Sequence, residues 1–343
     1  MAMDSNRRKL FQTSLAVGGG KELSISVIRL LAMLSIIACH FCQYYNNEWA
    51  WWLNVGVQVF FIISGYLYGN KSVSSPGPWL KKRFVKILTP YYIFLILAIA
   101  GYIFVSPEML SLTKIISSFF VVGTIKGISH LWFISYILFC YIITPYLAAI
   151  RDYLSNKNML YSFSSIVVLG GIYSIIEILI NGHFRPGMVG CYILGYYTAM
   201  FVKRIGEKFL HICFWMSLIP TIISNYVYCH LHYIQGLEMK GMLVHITDYS
   251  HAFLGYSITL LLMLLFKKIN ESRILDFSDK YSYEIYLVHQ LFILSPLTLL
   301  SLCNSRVINI TITFLTILVA GVILNYINNA VQSRLYIRSK SCK

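Results

Sequence analysis

Apolar positions in this chain come in long, nearly uninterrupted runs of roughly 17 to 22 residues, the length a helix needs to cross about 30 Å of hydrocarbon. Shorter runs would point to the buried core helices of a soluble protein. The pattern predicts an all-α, polytopic membrane protein with about ten spans, near 24–45, 52–69, 87–105, 130–150, 160–180, 187–202, 209–228, 250–266, 282–302 and 307–328. A further apolar stretch, residues 112–122, is too short to cross unaided and is expected to be re-entrant or to lie at the interface. Around the spans the chain divides into a cytoplasmic tail over 1–22, a membrane domain over 23–328 and a C-terminal cytoplasmic tail over 329–343. No tandem repeat, low-complexity tract or separate soluble domain is visible.

Composition supports the same class. The chain is 57% hydrophobic and 12% charged, whereas a soluble domain carries about 25% charged residues. A net charge of +15 would suit a nucleic-acid partner if it formed one patch. Instead the basic residues sit at the ends of the apolar runs. With the N-terminus inside, the cytoplasmic segments hold 22 of the 28 Lys and Arg. This is the positive-inside pattern, and it places both termini in the cytoplasm and the lipid bilayer, not nucleic acid, as the partner. Arg7-Arg8-Lys9 is not followed by a short apolar core and a small-residue cleavage site, so the first long run is expected to act as an uncleaved anchor. Gly18-Gly19-Gly20 reads as a flexible joint rather than a phosphate loop. The eight cysteines fall mostly inside apolar runs as small buried hydrophobes. Cys39-His40-Phe41-Cys42 has CxxC spacing, but no second ligand pair follows, so no metal is expected.

Ionisable groups inside spans are costly and are functional candidates by default. Five stand out here: Arg29, His40, Glu177, Glu284 and His289. Arg29 and His40 are eleven residues apart, which puts them about 20° apart around a helix and about 16 Å apart along it. A cation at the inner mouth and an imidazole farther out suggest a path across the membrane. The plain alternatives are snorkelling for Arg29 and an interhelical hydrogen bond for His40. Ser64-Gly65 in the second span permits close helix approach. Arg83 and Lys86 point the same way on a helical continuation. They either grip phosphates of a cytoplasmic ligand or are topogenic charge drawn to anionic lipid. Ser282, Tyr286 and His289 form a polar stripe, catalytic or structural, while Glu284 lies about 200° from Ser282 and off that stripe. The longest outer loops, 106–129 and 229–249, are rich in Tyr, His and Ser, which suits a polar ligand or a plain surface.

Taken in order, these residues resemble the integral-membrane acyltransferases of family 3, which mostly O-acetylate cell-envelope sugars. The resemblance spans most of the chain. It rests on Arg-x10-His at Arg29 and His40, and on Phe-Phe-x-x-Ser-Gly-Tyr from Phe60 to Tyr66. A basic pair before Pro-Tyr follows at Arg83, Lys86, Pro90 and Tyr91, and then His130-Leu131-Trp132-Phe133 leads to Thr144-Pro145. The segment from Ser282 to His289 is similar to the family's Tyr-x-x-Tyr-Leu-x-His. Two features depart from the family. Its basic pair is often Arg-x-x-Arg, and Lys86 keeps the charge but not bidentate phosphate binding. Many relatives have Trp-Ser-Leu-x-x-Glu in the fourth span, where this chain has Trp132-Phe133-Ile134-Ser135-Tyr136-Ile137 and no acid.

The resemblance implies acetyl transfer from cytoplasmic acetyl-coenzyme A, a donor substrate and not a resident cofactor, to a hydroxyl of a glycan. The acceptor would be a cell-surface polysaccharide (O-antigen, capsule or exopolysaccharide) or its lipid-linked precursor, at the bacterial inner membrane. It implies His40 and Arg29 as catalytic residues, Arg83 and Lys86 on the donor, and Ser64, Trp132, Glu284, Tyr286 and His289 in support. His40 would act as general base or carry the acetyl covalently. Some relatives carry a fused esterase-like periplasmic domain. This chain ends fifteen residues past its last expected span, so such a step is expected in the membrane domain or on a partner. A homo-oligomer is allowed for. The rival classes are a glycan exporter without chemistry and a proton-coupled carrier using Glu177 and Glu284.

Overall fold

The computed structural model describes residues 22–179, 187–201, 207–231 and 237–341. The expected tail with Gly18–Gly20 lies outside them, and the Glu177 side chain is not among the described ones. Among the described residues the chain is all-helical, with no strand. The helices are α1 (Leu23–Tyr44), α2 (Trp49–Leu53), α3 (Val55–Gly69), α4 (Pro76–Val105), α5 (Leu112–Phe119), α6 (Trp132–Ser155), α7 (Met159–Leu179), α8 (Met188–Phe201), α9 (Glu207–Leu231), α10 (Leu237–Leu265), α11 (Arg273–Ile293) and α12 (Arg306–Ser341). A helix lies at each expected span. Six helical stretches in the described residues are long and apolar enough to cross a membrane: Leu23–Tyr44, Trp49–Gly69, Pro76–Val105, Ser129–Ser155, Ile246–Leu265 and Arg306–Arg334. This is a multi-pass membrane protein. Large apolar side chains such as Phe104, Trp215 and Val319 are exposed on its outer faces, as lipid contact requires.

Three boundaries differ from the sequence expectation. The helix of the ninth span ends at Ile293, not near 302. Pro296 is the cause: a residue before proline is pushed out of the α region, and Ser295 turns the chain. Its hydroxyl donates to the Leu291 carbonyl at 2.5 Å and accepts from the Leu297 N–H at 3.0 Å. The expected loop 229–249 is largely helical, because α10 already begins at Leu237. No proline stands between Leu237 and Leu265 to break it. The stretch 112–122 forms the short α5, with Leu112 and Ile116 exposed. Hydroxyls of Tyr91 and Tyr92 donate to the Ser118 and Phe119 carbonyls at 2.6 and 2.9 Å, anchoring its end to α4.

Two packing features position the site. The close approach expected of Ser64-Gly65 is present between α3 and α8. A Cβ on Gly65 would lie 2.0 Å from the Tyr192 carbonyl oxygen, and one on Gly195 2.0 Å from that of Ile62, so glycine permits backbone contact there. Helices α1 and α11 pack side by side and run parallel. Ser26 and Arg29 meet Asp279 at one end, and His40 meets His289 and Gln290 at the other.

Candidate active site

Three histidines from three parts of the chain converge at the second of those ends. His40 comes from the last turns of α1, His289 from the last turn of α11, and His130 from the 3-10 turn Ser129–Leu131 ahead of α6. The His40 and His289 rings stack with centroids 5.0 Å apart and planes inclined by 29°. The His130 ring meets His289 edge-on at 4.6 Å. His289 and His130 are 0% and 4% exposed, and each buried imidazole needs partners to offset its lost hydration. His130 Nε2 faces the Leu287 carbonyl at 3.0 Å, and its Nδ1 faces Gln290 Oε1 at 2.9 Å. His289 Nδ1 bonds the Tyr286 carbonyl at 2.5 Å, and its Nε2 has no hydrogen-bond partner.

The 3-10 turn is held from both sides. Tyr286 donates its hydroxyl to the His130 carbonyl at 2.6 Å. Gly127 adopts φ +88, where a Cβ would come 2.5 Å from the Tyr102 hydroxyl, and that hydroxyl donates to the Lys126 carbonyl at 2.6 Å. Glycine is the residue that reaches this backbone region without strain.

At the other end, Arg29 pairs with Asp279 of α11, which also accepts from Ser26 Oγ at 2.6 Å. Ten residues separate Asp279 from His289, about 15 Å along the helix. Arg83 lies over the Tyr68 ring at 4.9 Å and the Trp79 ring at 5.6 Å, and its Nε is buried without a partner. Lys86 is within electrostatic reach of Arg83, Arg29 and Lys71, and of Glu284. Four cations therefore share this end.

The residues expected from sequence divide between these places. His40, His289 and Tyr286 belong to the histidine cluster, and Arg29, Arg83 and Lys86 to the cationic end. Trp132 leads α6 and packs edge-on against Tyr136, 5.2 Å between centroids. Ser64 is half-buried on the α3 face that carries Phe61 and Tyr68. Phe61 touches Phe133 near the histidines, and Tyr68 sits under Arg83, so Ser64 lies between the two ends. Glu284 turns elsewhere. Its Oε1 accepts from Asn325 and Asn328 of α12 at 3.1 and 3.3 Å, which ties α11 to α12. Sequence reasoning gave no role to His130, Gln290 or Asp279. Among the described residues no group of three His, Cys, Asp or Glu is placed to hold a metal ion.

A family model described as an acyltransferase domain matches residues 22–327. The chain belongs to acyltransferase family 3. A stretch of it is 31% identical over 122 residues to the peptidoglycan O-acetyltransferase OatA of Listeria monocytogenes serovar 1/2a (strain ATCC BAA-679 / EGD-e). That match covers 32% of this chain and 18% of OatA, so the chain spans under a fifth of the relative's length. No solved structure matches. The family match contains every residue of both ends, from Arg29 to Gln290, so the histidine cluster and the cations lie within one acyltransferase domain.

Proposed function

We propose that this protein is a bacterial inner-membrane O-acetyltransferase, moving an acetyl group from cytoplasmic acetyl-coenzyme A to a hydroxyl of a cell-surface polysaccharide or its lipid-linked precursor. The observation that carries the reading is the pair of parallel helices, α1 and α11, with cations at one end and a buried histidine cluster about 15 Å along at the other. Coenzyme A is a phosphorylated anion on a flexible arm. Its phosphates suit Arg83, Lys86 and Arg29 at the cytoplasmic face, and its arm delivers the thioester toward the histidines. The name of the OatA relative supports O-acetylation of a glycan as the outcome.

In this reading His40 Nε2 takes the proton of the acceptor hydroxyl as its oxygen attacks the thioester carbonyl carbon. The C–O bond forms, the C–S bond breaks, and the proton passes from His40 to the departing thiolate. Both termini are cytoplasmic in this topology.

Coenzyme A release by the purified protein in vesicles tests the proposal, measured with and without a glycan-lipid acceptor. Acceptor-dependent release that His40→Ala abolishes is expected. Vesicles that translocate the glycan while releasing no coenzyme A would make the protein an exporter and overturn the reading.

A further inference from the structure

We propose that Gln290 is the positioning residue that fixes the His40 tautomer, presenting the Nε2 lone pair to the reaction; this rests on the acetyl-transfer reading. A carboxamide has one acceptor end and one donor end, and at ordinary precision the two look alike. Here the backbone tells them apart. The His130 main-chain N–H, which can only donate, points at Gln290 Oε1 from 2.9 Å. That end must be the oxygen. Ser129 Oγ at 3.4 Å donates to the same oxygen, and His130 Nδ1 lies 2.9 Å from it.

The other end of Gln290 is therefore its NH2 group, and it faces His40 Nε2 at 3.5 Å. Two protonated nitrogens would repel, so His40 Nε2 carries the lone pair. Its proton sits on Nδ1, which donates to Gln43 Oε1 at 2.6 Å. One buried carboxamide, 3% exposed, thus makes His40 Nε2 an acceptor. The long contact to His40 also yields readily to an incoming hydroxyl. His289 of α11 and His130 of the turn before α6 are titratable groups packed near His40.

Two variants and one spectroscopic measurement test this. Gln290→Glu keeps an acceptor for His130 but places a carboxylate opposite His40 Nε2. A carboxylate favours the imidazolium, so the base form appears only at higher pH. The acid limb of kcat/KM should move up by about one pH unit or more, with the apparent KM for acetyl-coenzyme A unchanged. Gln290→Met keeps the volume and loses every polar contact of the carboxamide. Its rate should fall on the order of 10²-fold at every pH, within what a general base contributes, with the acid limb unmoved. Nitrogen-15 NMR of labelled histidines should show His40 with an unprotonated Nε2 in the wild type and a mixture of tautomers in Gln290→Met. A wild-type acid limb in well-folded Gln290→Glu would overturn the proposal. Parallel loss of thermal stability, rate and donor affinity in both variants would reduce Gln290 to a packing residue. If the wild type transfers no acetyl, the functional reading fails, and the NMR tautomer alone decides the role of Gln290: a protonated Nε2 on wild-type His40 would sink it.

Discussion

The two ends of the α1–α11 pair are built on opposite principles. At the histidine end each ring is buried or stacked, and single atoms are aimed by hydrogen bonds at 2.5 to 3.5 Å. At the cationic end the charges are partly open. Arg83 rests on aromatic faces, Lys86 is exposed, and only Arg29 is pinned, by Asp279. The difference matches what each end is asked to do. Proton transfer needs one nitrogen at one place, and a misplaced base loses most of its effect. Holding a mobile anion needs charge more than geometry.

Breaking the histidine end should therefore cost far more than weakening the cationic end. His40→Ala should lower glycan acetylation by about 10²- to 10⁴-fold at unchanged protein level in membranes, read by labelled acetyl incorporation. Near-normal transfer in a well-expressed variant would remove His40 from the site. Arg29→Lys comes next, because lysine keeps the charge but loses the guanidinium nitrogen that bonds Asp279. A drop of about tenfold that excess donor does not rescue is expected, the worth of one hydrogen bond to a charged group. Wild-type kinetics would instead mean that Arg29 merely snorkels.

The double change Arg83→Gln with Lys86→Gln should raise the apparent KM for acetyl-coenzyme A several-fold, up to about tenfold. It should leave acceptor saturation nearly untouched, and the wild-type donor KM should itself rise with ionic strength. An unchanged donor KM in a correctly inserted variant would dissociate these residues from the donor. The smallest effect should come from Glu284→Gln. The amide still offers an oxygen to Asn325 and Asn328, so the transfer rate should change by about twofold or less. A large loss of rate would return Glu284 to the site.

Much of this layout was legible in the sequence because helical periodicity carries it. The eleven-residue step from Arg29 to His40 places both on one face, and that face is the one α11 covers. Tyr286 and His289 fall on one stripe for the same reason, and Ser64-Gly65 announced the close crossing with α8. What periodicity cannot show is pairing between distant segments. Gln290 contacts a histidine 160 residues away, and Asp279 meets Arg29 across 250 residues. His130 stood in a recognised motif, yet its role comes only from the carboxamide and carbonyl facing its two nitrogens. Glu284 lies within electrostatic reach of Lys86, and the two asparagines of α12 that hold its carboxylate are far from it in sequence. The ninth span reads longer in sequence than the helix is, because apolar content continues past Ile293 where Pro296 prevents the helix from doing so.

The central claim is that donor enters at the cationic end and is consumed at the histidine end. Oriented membrane vesicles test it most directly. Labelled acetyl-coenzyme A is supplied either at the face carrying Arg83 and Lys86 or at the opposite face, and acetyl transferred to the glycan is counted. Labelling should occur only from the Arg83–Lys86 face, and His40→Ala should abolish it. Equal labelling from both faces, or labelling only from the histidine face, would contradict the account.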